Sequence, residues 1–180
     1  TTIHPMPSSQ IMDSVESGVI DIGIAYLVAQ NPTLTTSVLY YDAFELVVSP
    51  EHPLASTGHT SVEKLQDLQW IMLSPDTAGR RFADDIFRKF NITPQIVMEL
   101  SSSEEVKRMV ELNLGTAIIS NSAVAGELRA GTLHVIHVNE LDMMHPVGVI
   151  YKSGRYLNSA LNQFLQDLKG MPETQFLGSE

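Results

Sequence analysis

Hydroxyl side chains gather at three places in this 180-residue chain, each just ahead of a run with helical spacing. Ser8 and Ser9 precede Ile11, Met12 and Val15. Thr77 opens a loop, residues 77–81, whose Gly79, Arg80 and Arg81 lead into Phe82, Ile86 and Phe87. Ser101, Ser102 and Ser103 precede Val106, Met109 and Val110. The first turn of a helix leaves backbone N–H groups unpaired and carries partial positive charge. Hydroxyls beside such a turn suit a carboxylate, sulfate or phosphate. The plainer reading is an N-cap, which is the commoner role for any one serine. The loop after Ser74-Pro75 holds no G-x-x-x-x-G-K-[ST] pattern, so it is not a nucleotide P-loop.

Other residues able to do chemistry do not combine into a catalytic set. His134 and His137 stand three apart in a strand-like run, which sends them to opposite faces and argues against a chelating pair. His52 in "EHPLA" reads as a turn residue. Spacing supports neither a Ser–His–Asp order nor a carboxylate pair. The methionines at helical positions read as core filler. Tyr26 closes the apolar run "VIDIGIAYL" as a core-edge residue or a ligand contact. With no cysteine, thiolate metal sites and disulfides are excluded; no metal and no cofactor is expected, and a reducing, cytoplasmic setting fits.

The charge balance narrows the partners. Net charge is −10 and the sequence pI is about 4.9. The first Lys or Arg is Lys64. Such a surface repels a phosphate backbone, so this chain alone is a poor nucleic-acid binder. No apolar run approaches the ~20 residues that span a bilayer, so no membrane partner is expected. The opening "TTIHPMPSS" lacks the basic and apolar regions of a signal peptide.

These side chains need elements to hold them, and the pattern alternates strand and helix, predicting an α/β fold with a largely parallel sheet. "TTIHPM" reads as a weak strand. "SSQIMDSVES" reads as a helix capped by Ser8 or Ser9 and ended by Gly18. "VIDIGIAYL" is a buried strand, and "TTSVLYYDAFELVVSP" holds two strands around the polar Asp42. "SVEKLQDL" is a short helix opened at Ser61 by half a capping box, with Lys64 where Glu would stand. "QWIMLS", "PQIVMEL", "TAIIS", "TLHVIHV" and "PVGVIYK" are strands. "GRRFADDIFRKFN" is a helix closed near Asn91. "SSSEEVKRMVELNLG" is one with serine caps and a stop near Gly115. "NSAVAGELRAG" ends at Gly131, and "NSALNQFLQDLKG" is the last helix.

The succession "ESGVIDIGIAYL", "FELVVSPEHPLA", "SVEKLQDLQWIMLS", "SSSEEVKRMVELNLGTAIISNSAV", "LRAGTLHVI" resembles the effector-binding domain of LysR-type transcriptional regulators, over residues 3–168. Each motif is loose; their order and spacing together are specific. The resemblance implies a type II periplasmic-binding-protein-like fold: two Rossmann-like subdomains joined by two crossing strands, at residues 46–49 and 147–151. Subdomain I would be residues 1–47 plus 149–180, and subdomain II residues 48–148. It implies no catalysis. A small anionic or carboxylate effector would bind in the cleft between subdomains, touching Ser8, Ser9, Tyr26, Thr77, Arg80, Ser101 and Ser102. It implies a homodimer or tetramer, for which the apolar faces of the helices at residues 9–17 and 80–90 are candidates. DNA would be reached only through a helix-turn-helix domain that this sequence does not contain. "TTIHPM" resembles the family's second strand, and its first strand and helix find no match here. A transport-type solute-binding protein or an enzyme on the same fold are the rival readings.

Overall fold

The computed structural model, which describes residues 6–27, 31–154 and 159–171, divides the chain into two units: residues 1–42 with 145–180, and residues 43–144. In chain order the elements are α1 (Ser8–Ser17), β1 (Ile22–Tyr26), β2 (Leu34–Val48), β3 (His59–Thr60), β4 (Gln69–Leu73), α2 (Ala78–Lys89), β5 (Gln95–Leu100), α3 (Ser103–Glu111), β6 (Ala117–Ser120), α4 (Asn121–Ala130), β7 (His134–Val138), β8 (Met144–Lys152) and α5 (Ser159–Gly170). The strand expected at "TTIHPM" falls largely on residues 1–5, outside the described residues.

In the first unit, β1 runs antiparallel to β8, with Ile22 opposite Tyr151 and Tyr26 opposite Val147. β8 lies between β1 and β2. Val15, Ala25, Leu34 and Ile150 form one core cluster, with Ile11 and Met12 against it; Val149, Leu165 and Leu168 form another under α5. The expected serine cap of α1 is corrected: the N-cap is Pro7, with no side-chain cap bond, and its carbonyl takes the Ile11 N–H at 3.0 Å. Its extended ψ of 147° sets the turn into the helix, which leaves Ser8 as the first helical residue. Gly18 ends α1 at φ 79°, a conformation glycine adopts without strain. α1 lies so close on β1 that a Cβ at Gly23 would meet Cγ2 of Ile11.

The expected break at Asp42 is also corrected. β2 is one strand of 15 residues running through it, its first part in one unit and its last in the other. Asp42 is 3% exposed and accepts a 2.6 Å hydrogen bond from the Tyr26 hydroxyl, so a partner makes burial of the carboxylate possible where the strand would otherwise break.

In the second unit the end of β2 pairs antiparallel with both β6 and β7, and β3 runs parallel to β7. β4 and β5 are parallel, and a bridge from Trp70 to Thr116 sets β6 beside β4 in the same direction. Val47, Ile71, Val106, Val110, Ala117, Ile119, Val124 and Leu133 form the core. Trp70 is fully buried, with its indole N–H satisfied by the Leu65 carbonyl at 3.0 Å. α2 buries Gly79, Ala83, Ile86 and Phe87, the 4-3-1 spacing of one helical face. Residues 53–56 and 62–67 are 3-10 turns, the second in place of the expected short helix; it follows Ser61, whose side chain makes no cap bond. α3 stops earlier than Gly115: Leu112 is its C-cap and Asn113 takes the left-handed conformation at φ 57°. Gly115 serves close approach instead, since a Cβ there would sit 2.9 Å from the Gln69 carbonyl oxygen.

Candidate functional site

Three strands of the second unit, β4, β5 and β6, run in one direction, so Leu73, Leu100 and Ser120 end at one edge of the sheet. Each strand feeds a helix there: α2, α3 and α4. The carboxyl edge of parallel strands is where open α/β sheets take ligands, because the following helices aim unpaired N–H groups at it. Ser74 joins the first two loops: its N–H and its hydroxyl both donate to the Leu100 carbonyl, at 3.0 and 3.2 Å.

Thr77 is the N-cap of α2. Its hydroxyl accepts the Arg80 N–H at 3.2 Å and donates to the Ser74 carbonyl at 2.9 Å. Ser102 caps α3 in a complete capping box. Its hydroxyl accepts the Glu105 N–H at 3.2 Å, and the Glu105 carboxylate accepts the Ser102 N–H at 3.2 Å. The Ser101 hydroxyl donates to the same carboxylate oxygen, also at 3.2 Å. The Ser102 N–H, then the Ser101 hydroxyl, hold the Glu105 carboxyl below its ordinary pKa. Two donors thus converge on one anionic oxygen, and that oxygen belongs to the chain's own capping box.

Arg80 is tied down. Its Nε donates to both oxygens of Asp84, at 3.0 and 3.2 Å, and one terminal nitrogen donates to the Leu73 carbonyl at 3.0 Å and to Glu99 at 2.7 Å. The side chain is 12% exposed. Burial works against its charge, and the bonds to Glu99 and Asp84 outweigh it, leaving the guanidinium pKa raised. Arg81 only reaches the Asp76 carbonyl, at 3.4 Å.

The edge therefore gathers Thr77, Arg80, Ser101 and Ser102. Sequence reasoning overlooked Ser120, the N-cap of α4, whose hydroxyl lies 3.2 Å from that of Ser122; "ISNSA" after a strand was the signal. It also overlooked Glu105 as the occupant of the serine donors, legible in S-S-S-E-E. The first unit holds the other candidates. Ser8 begins α1, while the Ser9 side chain lies outside what is described. Tyr26 donates to Asp42, and its ring centroid is 5.6 Å from that of His145. Burial, then the Asp42 charge, pushes the neighbouring Tyr40 phenol up. Among the described residues no group of three or more His, Cys, Asp or Glu could hold a metal ion, and no helix is long and apolar enough to cross a membrane.

Comparison with known proteins fixes the family. The model of the LysR substrate binding domain matches residues 2–171, and the chain belongs to that family. It is 29% identical over 172 residues to a probable RuBisCO transcriptional regulator of a Nostoc species, covering 92% of this chain and 51% of the relative. It is likewise 29% identical over 163 residues to one of Porphyra purpurea, covering 86% of this chain and 51% of the relative. The chain spans about half the length of the curated relatives it matches. Among solved structures it resembles the regulatory domain of Synechocystis CcmR in complex with 2-PG, with a TM-score of 0.81 at 19% identity, covering 91% of this chain and 78% of that one. It also resembles the effector-binding domain of QuiR in complex with shikimate, with a TM-score of 0.77 at 20% identity, covering 91% and 77%. The fold is the α/β, type II periplasmic-binding-protein-like fold of LysR regulatory domains.

Proposed function

We propose that this chain, a LysR substrate-binding domain, is the effector-sensing part of a longer transcriptional regulator and takes a small anionic metabolite. The observation that carries the reading is the convergence on one carboxylate oxygen of the Ser102 N–H and the Ser101 hydroxyl, beside the capped start of α2. An effector carboxylate or phosphate offers the same kind of oxygen. In a chain of net charge −10, an anion needs such a local exception. The solved complexes of similar domains with shikimate and 2-PG support a small-molecule effector. Thr77, Ser101 and Ser102 are the proposed contacts of the second unit; Ser8, Ser9 and Tyr26 are those of the first. Arg80, expected among these contacts from the sequence, is instead taken up by Asp84, Glu99 and the Leu73 carbonyl, and its part is argued below.

The effector acts by binding one conformation of the regulator better than another, since equal affinity would shift nothing. DNA is reached through another part of the regulator, in the cytoplasm, and the assembly is a homodimer or tetramer. The apolar faces of α1 and α2 are buried within their own units, through Val15 on one and Ala83, Ile86 and Phe87 on the other. The exposed Ile96 and Val97 of β5 are the better candidates for pairing. The reading is a sensor and not an enzyme: the Thr77 and Ser102 hydroxyls cap helices, the Ser101 hydroxyl is on Glu105, and Asp84 and Glu99 are held by Arg80.

Calorimetry against organic acids, sulfate and phosphate tests this. The joint change Ser101→Ala with Ser102→Ala should weaken the best anion by at least about tenfold, beyond a cap loss of about 1 kcal/mol in stability. A best ligand that is neutral or cationic, or undiminished binding by the double variant, overturns the proposal.

A further inference from the structure

We propose that Arg80 is a positioning residue and not an effector contact: it fixes the loops that carry Thr77 and Ser101–Ser102 by tying α2 to the ends of both β4 and β5. The inference rests on the anion-sensing reading for its importance and on geometry for its substance. One guanidinium joins three elements: Asp84 on its own helix, the Leu73 carbonyl ending β4, and Glu99, the last residue but one of β5. The planar fork makes this possible, since Nε serves Asp84 while a terminal nitrogen serves strand groups on the other side. A lysine carries the same charge and cannot reach all three in fixed directions. With Asp84 and Glu99 both on Arg80, the group has a net charge of −1 and offers little pull on an incoming anion. Its effect on an effector has to come through placement of the loops: Thr77 lies three residues before Arg80, and Ser101 two residues after Glu99.

Glu99→Gln separates the two roles by sign. It removes a negative charge near the edge, so electrostatics alone predicts tighter binding of an anion. Positioning predicts weaker binding, because the charge-assisted Arg80–Glu99 bond is reduced to a neutral one that holds the loops less firmly. Arg80→Lys separates them as well, because it keeps the charge and loses the fork. Inorganic phosphate and a small carboxylate are titrated by calorimetry into the 180-residue chain and both variants. Amide hydrogen exchange is followed without ligand at residues 77–81 and 101–105, with β7 as internal reference. Both variants should bind about tenfold more weakly, the equivalent of one charge-assisted hydrogen bond. Exchange in the two loops should rise at least about fivefold while β7 stays as protected as in the parent. Tighter binding by Glu99→Gln, full affinity in Arg80→Lys, or unchanged loop exchange overturns the positioning role. If the parent binds none of the anions, the sensing reading falls, and the exchange measurement still decides what Arg80 does.

Discussion

Lys107 of α3 offers the sharpest energetic test of the second unit. Its side chain is 8% exposed, and its ammonium lies 2.7 Å from Glu104, 2.8 Å from Glu127 and 3.0 Å from the Ala123 carbonyl. All three donors are engaged. Glu104 is 80% exposed, so that pair is worth a few tenths of a kcal/mol, roughly the value of a surface ion pair. Glu127 is 22% exposed and links α3 to α4. Lys107→Met keeps the stem and deletes the ammonium, leaving Glu127 and the Ala123 carbonyl without it. Losing a charged hydrogen bond and orphaning a half-buried acceptor sum to about 2–3 kcal/mol. Pairing it with Glu127→Leu should recover part of this, a coupling of about 1–2 kcal/mol in a double-mutant cycle. Urea unfolding reads all four proteins. The Lys107 bond, above other causes, lowers the Glu127 pKa. The coupling is therefore full above the ordinary carboxylate pKa and is lost as pH falls through the depressed folded value. Burial pulls the Lys107 pKa down and the bonds to Glu104 and Glu127 raise it further, so its folded pKa ends raised. The coupling is thus full below the ordinary lysine pKa and lost as pH rises through the raised one. A coupling under about 0.3 kcal/mol at neutral pH, or one that persists unchanged into strong acid, refutes the account.

Three further outcomes follow from the geometry. Gly148→Ala places a Cβ 2.5 Å from the Ser37 carbonyl oxygen and 2.8 Å from Leu27 Cδ1, so thermal unfolding should show a loss of about 1–3 kcal/mol; an unmoved melting temperature contradicts it. Tyr26→Phe removes the 2.6 Å donor from buried Asp42 and should lower stability by about 1–2 kcal/mol in chemical denaturation, whereas Tyr41→Phe on an exposed side chain should change little. The Nδ1 atom of His52 accepts the Leu54 N–H at 3.2 Å, and burial lowers its pKa. Its contribution is present above the ordinary histidine pKa and lost as pH falls through the lower folded value; an NMR titration midpoint at or above the free-histidine value would contradict this.

Local signals were legible where partners are near in sequence. Gly18 and Gly131 ended their helices as read, both in the left-handed conformation that favours glycine. The Ser102 cap of α3 followed from serines ahead of an apolar stripe with glutamates in the first turn. Errors arose where distant partners decide. Asp42 looked like a break in β2 because its Tyr26 partner is 16 residues away. Arg80 looked like available charge because Glu99, 19 residues on, is invisible to a local pattern. Gly115 looked like a helix stop, although its lack of a side chain answers to the Gln69 carbonyl on another strand. The hydroxyl clusters themselves were visible, but their present hydrogen-bond partners required the fold.

The chain makes the second unit from one uninterrupted segment, residues 43–144, inserted between the two pieces of the first. During synthesis this sets an order. Every strand described in the inserted unit has emerged before β8 is complete at Lys152. The first unit holds β1 and the start of β2 early, yet the strand between them arrives roughly a hundred residues later, or about 5–20 s at ribosomal speeds. Through that interval β1 lacks its β8 partner, and the apolar residues Ala25 and Leu34 lack Ile150. The newborn chain thus spends seconds with its first half waiting while the inserted half is made, and the waiting half is where a chaperone or a protease would first find purchase.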